Sequence, residues 1–302
     1  MEKVRWSYWI EKAKEVLPFY QREFGVRPLI RMVFYDLTKG SPGLPNTEYH
    51  YKYFDRLLVK ARLSGEIPWE GFAEDEARRA GGGDEPYQTV DQAIAVGLDY
   101  LRDLPSSYQL PFWWGQDNQV VVMVEKTGER DVFVSLTQHW SVLVAPCRGY
   151  AAWGSLKSLA DRLDDRPVSV LYFGDFDPSG EDIPRFVHEA LDSLGVVPQE
   201  FMKLAITKEQ VELFDLPHRP EDAKEITKLQ RNPLYKKWPY GLYRVEMEAL
   251  LGTNPGYVRD LLERAITSRF DQAKREEALK AEDAERMEMA DKIDELMRKI
   301  EG

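Results

Sequence analysis

Cysteine occurs once in the 302 residues, at Cys147, so no disulfide can form within the chain. The four histidines, His50, His139, His188 and His218, are too scattered for zinc-ligand spacing. No apolar run reaches about 18 residues and no charged-then-apolar leader follows Met1, so neither a membrane span nor a signal peptide is expected. There is no Gly-x-x-x-x-Gly-Lys-Ser/Thr loop, so any ATP dependence would have to come from another chain. Internal repeats and low-complexity tracts are also missing. A reducing, cytoplasmic setting fits these absences.

Positive charge is in deficit too. The net charge of −11 argues at first against a polyanionic partner, because phosphate binding rests on Lys and Arg. The distribution qualifies the sum. Residues 1–65 hold 12 Lys/Arg against 7 Asp/Glu, and residues 66–103 hold 3 against 10. Residues 223–244 form a second basic block, with Lys224, Lys228, Arg231, Lys236, Lys237 and Arg244 against Glu225. Local attraction for nucleic acid therefore survives.

What is present is enough apolar residue, 43%, to bury a core. Spacings of three and four predict a helix over 6–24, and a second is expected over 28–38. A third helix is bounded by Asn46 or Thr47 as cap and Gly65 as stop. "EIPWEGF" reads as a short extended piece, residues 79–90 as a mobile loop, and 91–103 as a helix. Then "VVVMVE" (120–125), "SVLVAP" (141–146), "VSVLYFGDFD" (168–177) and "FMKLAIT" (201–207) alternate with helix-length segments. That alternation predicts an α/β domain with a mainly parallel sheet flanked by helices. From Thr267 to Ile300, Ala284, Met287, Ala290, Ile293, Met297 and Ile300 recur at helical steps among charges, which predicts a C-terminal amphipathic helix.

Ligand sites in parallel sheets collect at the carboxyl ends of strands. Asp175 and Asp177 stand at one such end and Glu125 at another. Two aspartates at i and i+2 on a strand tip, with a third carboxylate, make an oxygen cage suited to Mg²⁺. The alternative is that "DFDPSG" is a strand-ending turn whose aspartates cap the next helix.

"VVVMVEKTGERDVF" followed by "YFGDFDPSGEDI" resembles the toprim domain shared by topoisomerases, primases and several nucleases. The form "VEK" plus "GDFDPSG" is most similar to the topoisomerase VI A subunit and its relative, the meiotic double-strand-break transesterase. "CRGYAAWGSLKSLADRL" (147–163) and "YRVEMEALLG" (243–252) resemble further segments of that family, and "RMVFY" (31–35) resembles its Arg-x-x-(Tyr/Phe)-Tyr. The chain's length resembles the compact stand-alone members called mini-A. The resemblance implies a winged-helix domain over 1–115, a toprim domain over 116–265 and a helical extension over 266–302. It also implies a Mg²⁺-dependent transesterase acting on double-stranded DNA, in the cytoplasm and associated with the nucleoid. A homodimer would cut both strands, with a possible separate ATPase subunit of B type.

In that reading Tyr35 attacks and forms a 5′-phosphotyrosyl intermediate. Arg31 and the Mg²⁺ supply cations, Glu125 protonates the leaving 3′-oxygen, and Glu125, Asp175 and Asp177 hold the metal. The tyrosine and the metal are expected to meet across a domain or subunit boundary. Lys52, Arg56 and Lys60, four residues apart, with Arg62 nearby, would lie along DNA phosphates. Glu246 and Glu248 flank Met247 in an apolar run, so one of them is expected to point toward the acidic cluster, with Glu246 the lesser candidate for the metal site; Glu129 and Glu181 read as exposed turns and helix starts. Replacing either aspartate with alanine is expected to spare the fold. The rivals are a hydrolytic toprim endonuclease that uses water in place of Tyr35, and a non-catalytic DNA-binding protein.

Overall fold

The computed structural model describes residues 6–25, 27–40, 43–73, 89–147, 153–219, 227, 231, 233–241 and 243–301. The loop expected over 79–90 lies almost wholly outside the described residues, as do Arg148, Gly149 and Tyr150 of the Gly-Tyr segment and Lys224 and Lys228 of the second basic block. Contacts group the chain into two compact units, Met1–Glu76 with Asn118–Arg269, and Ala77–Asp117 with Phe270–Gly302.

The first unit begins with helices α1 (Trp6–Phe24), α2 (Ile30–Thr38) and α3 (Glu48–Leu63). Thr47 caps α3 by accepting the His50 N–H, and Gly65, at φ +76°, ends it in a conformation that L side chains rarely adopt. Trp69–Gly71, expected to be extended, is instead a 3₁₀ turn that starts directly after Pro68. Among the described residues up to 115 there is no strand.

Four strands follow: β1 (Gln119–Val124), β2 (Leu143–Pro146), β3 (Val168–Phe173) and β4 (Pro198–Ala205). They form one parallel sheet in the order β2-β1-β3-β4. Every residue of β1 and β3 is buried, because helices cover both faces of these central strands. On one face Val121, Met123, Val170 and Tyr172 pack in one cluster with Leu156 of α6 (Trp153–Ala160) and Ile183 and Val187 of α7 (Pro178–Ser193). On the other, Phe173 meets Phe133 of α5 (Thr127–Thr137), with ring centroids 4.6 Å apart.

After β4 come the short helices α8 (Lys208–Leu213), α9 (Pro233–Lys237) and α10 (Met247–Thr253), then α11 (Pro255–Thr267). Helix α10 lies directly on α2. A Cβ on Gly252 would stand 2.4 Å from the Met32 carbonyl oxygen, so only glycine permits this approach. The Gly252 carbonyl accepts the Tyr20 hydroxyl at 2.9 Å. The N-terminal helices and the sheet thus belong to one compact unit.

In the second unit, α4 (Val90–Ser107) and α12 (Gln272–Glu301) are long helices. The C-terminal helix forms where the periodicity places it, but its buried stripe differs. Ala278, Glu282, Ile293 and Met297 are buried, whereas Met287 is 72% exposed. Glu282 is drawn inward because it accepts the Leu110 N–H at 2.9 Å and pairs with Arg286 at 2.7 Å.

Candidate metal centre

Three chain segments meet at the carboxyl edge of the sheet. The first leaves β1: Glu125 and Lys126 bridge the strand to α5, whose N3 residue, Glu129, accepts the Lys126 N–H at 3.3 Å. The second leaves β3, which ends at Phe173, so the two aspartates lie beyond the strand and not on it. Gly174 continues the pairing with β4, donating its N–H to the Ala205 carbonyl at 2.8 Å and accepting the Ile206 N–H at 2.8 Å. Phe176 pairs with Val245 in an isolated antiparallel bridge. That bridge brings in the third segment, Glu246-Met247-Glu248 at the start of α10.

The two aspartates have different tasks. Asp177 is the N-cap of α7 and accepts the Gly180 N–H at 2.7 Å, so the capping alternative holds for this residue. Asp175 is buried; its carboxylate accepts the Met247 N–H at 2.8 Å and pairs with Lys126 at 3.0 Å. Glu125 closes the group by accepting the Asp175 N–H at 2.9 Å. A Cβ on Gly180 would stand 2.2 Å from the Asp175 carbonyl oxygen, so glycine there lets α7 begin directly against the loop. Asp175 ties the segments of Lys126 and Met247 to the loop after β3, so alanine there is expected to loosen the fold, unlike the sequence reading for either aspartate.

Ligand atoms of Glu129, Asp175 and Glu248 all lie within 4.8 Å of one another, a buried triad that could hold a metal ion. Of the expected set Glu125, Asp175 and Asp177, only Asp175 belongs to this triad. Glu129 is fully buried and not on an exposed turn, although it does start a helix. Its signal was its place one turn into a helix that opens at a strand's carboxyl end. Glu248 was marked only by standing two residues from Glu246 in an apolar run.

The ammonium of Lys126 stands among these carboxylates, 2.6 Å from Glu248, 3.0 Å from Asp175, and 3.8 Å from both Glu129 and Glu246. Burial opposes its charge, but Asp175, Glu248 and Glu246 outweigh burial and raise its pKa well above that of an ordinary lysine. Burial also raises Asp175, Glu248 and Glu129, with Glu246 and Asp175 adding to the rise at Glu248 and Glu248 adding to that at Glu129. Glu125 is pushed up to about 7 by burial and by Asp175 and Asp177, which places its proton exchange near neutrality.

Glu246 is the hub of a second cluster. It accepts the Tyr35 hydroxyl at 2.9 Å, makes a short contact with Arg31, and lies 3.4 Å from Arg219. Burial would favour its neutral form, yet Lys126, Arg31 and Arg219 hold it ionised, down at about 2. Arg31 also lies over the Tyr51 ring, 4.2 Å from its centroid. Tyr35 itself is fully buried, and its hydroxyl pKa is raised by burial and by Glu246. Tyr35 and Arg31 therefore join the acidic cluster through Glu246 and Lys126 within one compact unit, where the sequence reading had them meet across a boundary.

Of the basic residues on α3, Lys52, Arg56 and Lys60 are exposed, and Lys52 pairs with Glu48 at 3.2 Å. Arg62 is a correction to that set. It is buried, with its guanidinium 5.2 Å from the Trp69 ring centroid and 5.0 Å from that of Phe72, so it packs inward instead of facing phosphate. In the second basic block Arg231, Lys236 and Lys237 are exposed and Arg244 is buried. No helix among the described residues is long and apolar enough to cross a membrane.

No protein-family model and no curated protein matches the chain.

Proposed function

We propose that the chain is a Mg²⁺-dependent, DNA-cleaving enzyme whose centre lies at the carboxyl edge of a toprim-like sheet. The observation that carries this reading is the convergence of Asp175 with Glu129 and Glu248, beside Glu125, at that edge. Buried carboxylates repel one another and must be offset by protons or cations; Lys126 brings one positive charge to Asp175, Glu129 and Glu248, and the carboxylates beside it leave negative charge for a divalent ion. Hard oxygen ligands of this kind suit Mg²⁺. A bound Mg²⁺ would place positive charge on a phosphodiester and on its departing oxygen. Glu125, near neutrality in its proton exchange, is suited to ionise as the ion binds and to hold it. Lys52, Arg56 and Lys60, with Arg231, Lys236 and Lys237, are the candidates to hold the DNA backbone. A cut through both strands needs two centres, and a two-fold homodimer is the simplest arrangement that supplies them.

Two nucleophiles suit this centre, and the burial of Tyr35 favours water over the phenol. A phosphodiester cannot reach a hydroxyl with no accessible surface that donates to a carboxylate of the same unit. The second reading, a transesterase of topoisomerase VI A type with a winged-helix N-terminal domain, rests on the neighbours of Tyr35. Ionised Glu246 could take the phenolic proton and Arg31 could favour the phenolate, provided α2 uncovers the ring.

The deciding experiment is cleavage of supercoiled DNA with Mg²⁺, followed by phenol extraction. Free ends and retained activity in Tyr35→Phe are expected. Protein covalently attached to 5′ ends would replace hydrolysis with transesterification. No cleavage by the wild-type chain under any divalent ion, with DNA still bound, would leave the non-catalytic DNA-binding reading.

A further inference from the structure

Glu129 is fully buried, and its Oε1 has no hydrogen-bond partner. Such an atom is costly to bury unless something compensates for its lost water. Its carboxylate faces the shared space of Asp175 and Glu248, and the nearest positive charge is the Lys126 ammonium at 3.8 Å, too long for a hydrogen bond. The same ammonium bonds closely to Glu248 and Asp175. The triad therefore has the donor set of a divalent-ion site, with a lysine as its cation and one oxygen left over.

We propose that Lys126 is a tethered cation that fills the buried half of the acidic centre. The wild-type chain then binds a single divalent ion, toward Glu125 and Asp177, and a second enters the Glu129–Asp175–Glu248 triad only when the ammonium is removed. This rests on the divalent-ion reading of the centre and adds its stoichiometry. Oxygen atoms within 4.8 Å of one another enclose room for one cation. An Mg²⁺ at about 2.1 Å from its oxygens and an ammonium at hydrogen-bond distance from the same oxygens exclude one another by volume and by charge. The backbone of Lys126 is fixed as the N-cap of α5, with only Glu125 between it and β1, so the ammonium is delivered by the fold. Since 27% of the side chain's surface stays accessible, shortening its polar end opens a path from solvent.

The test is Mn²⁺ stoichiometry on the full chain by calorimetry and by electron paramagnetic resonance. Wild type is expected to bind one ion, Lys126→Met two, and Lys126→Met combined with Glu129→Gln one again. Two ions in wild type, or no gain in a folded Lys126→Met, would overturn the proposal. If Lys126→Met and the milder Lys126→Gln both fail to fold without metal, Mn²⁺ is expected to restore cooperative unfolding; no restoration overturns it as well. Zero ions in wild type with one in Lys126→Met would keep the tethered cation and remove the metal-dependent cleavage. One ion in each would do the reverse.

Discussion

Replacing Tyr35 with Phe removes one oxygen from a buried carboxylate hub and leaves the ring's packing in place. A hydrogen bond to a charged group contributes about 1.5–3 kcal/mol. Glu246 keeps Arg31, Arg219 and Lys126, so the lower end applies, about 1.5 kcal/mol. The unit that contains Tyr35 spans Met1–Glu76 and Asn118–Arg269. For a unit of that size each kcal/mol lowers Tm by about 2–4 °C, which gives a fall of about 3–6 °C. Thermal unfolding followed by circular dichroism reads the shift, and plasmid cleavage on the same preparation reads activity. Stability should fall while cleavage with free ends persists. An unchanged Tm would refute the Tyr35–Glu246 hydrogen bond as a stabilising contact. Lost cleavage with DNA binding intact would make Tyr35 the nucleophile and refute the argument from burial.

The two aspartates should separate sharply. Asp175→Ala leaves Lys126 and the Met247 N–H short of a buried partner and should cost about 3–5 kcal/mol, so denaturant unfolding should show a large loss together with lost cleavage. Asp177→Ala removes a helix cap and should cost only about 1 kcal/mol while weakening Mg²⁺ binding in calorimetry; equal losses at both positions would contradict the division of tasks. The carboxyl of Glu125, raised from 4.5 to about 7, contributes stability that is fully present below about pH 4.5 and is lost as pH rises through 7. That contribution is roughly 3 kcal/mol, and the Tm of Glu125→Gln should show a correspondingly flatter dependence on pH across this range. Mg²⁺ should stabilise the wild type more at pH 8 than at pH 5, and a stabilisation independent of pH would count against Glu125 as a ligand. Gly252→Ala must push α10 off the Met32 carbonyl, so it should lower Tm and loosen protection from hydrogen exchange in α2 and α10 together.

The periodic parts of this chain were legible in its sequence because their signals are local. Apolar runs bounded by turns located the four strands to within a few residues, and Thr47 and Gly65 bounded α3 by cap chemistry that acts over three residues. The pairing of Asp175 with Asp177 was equally visible as a motif. What tertiary structure alone decided is which charges meet. Glu129 read as an ordinary helix start because nothing local shows that the start of α5 meets a third segment, where Glu248 lies 122 positions beyond Lys126. Arg62 shares a helix with Lys52, Arg56 and Lys60, and only the positions of Trp69 and Phe72 turn it inward. Tyr35 and Glu246 are 211 positions apart, and the packing of α10 on α2 joins them. Hydrophobic period and capping are properties of neighbouring residues. The balance of buried charge is a property of the space they enclose, which exists only after the chain has folded.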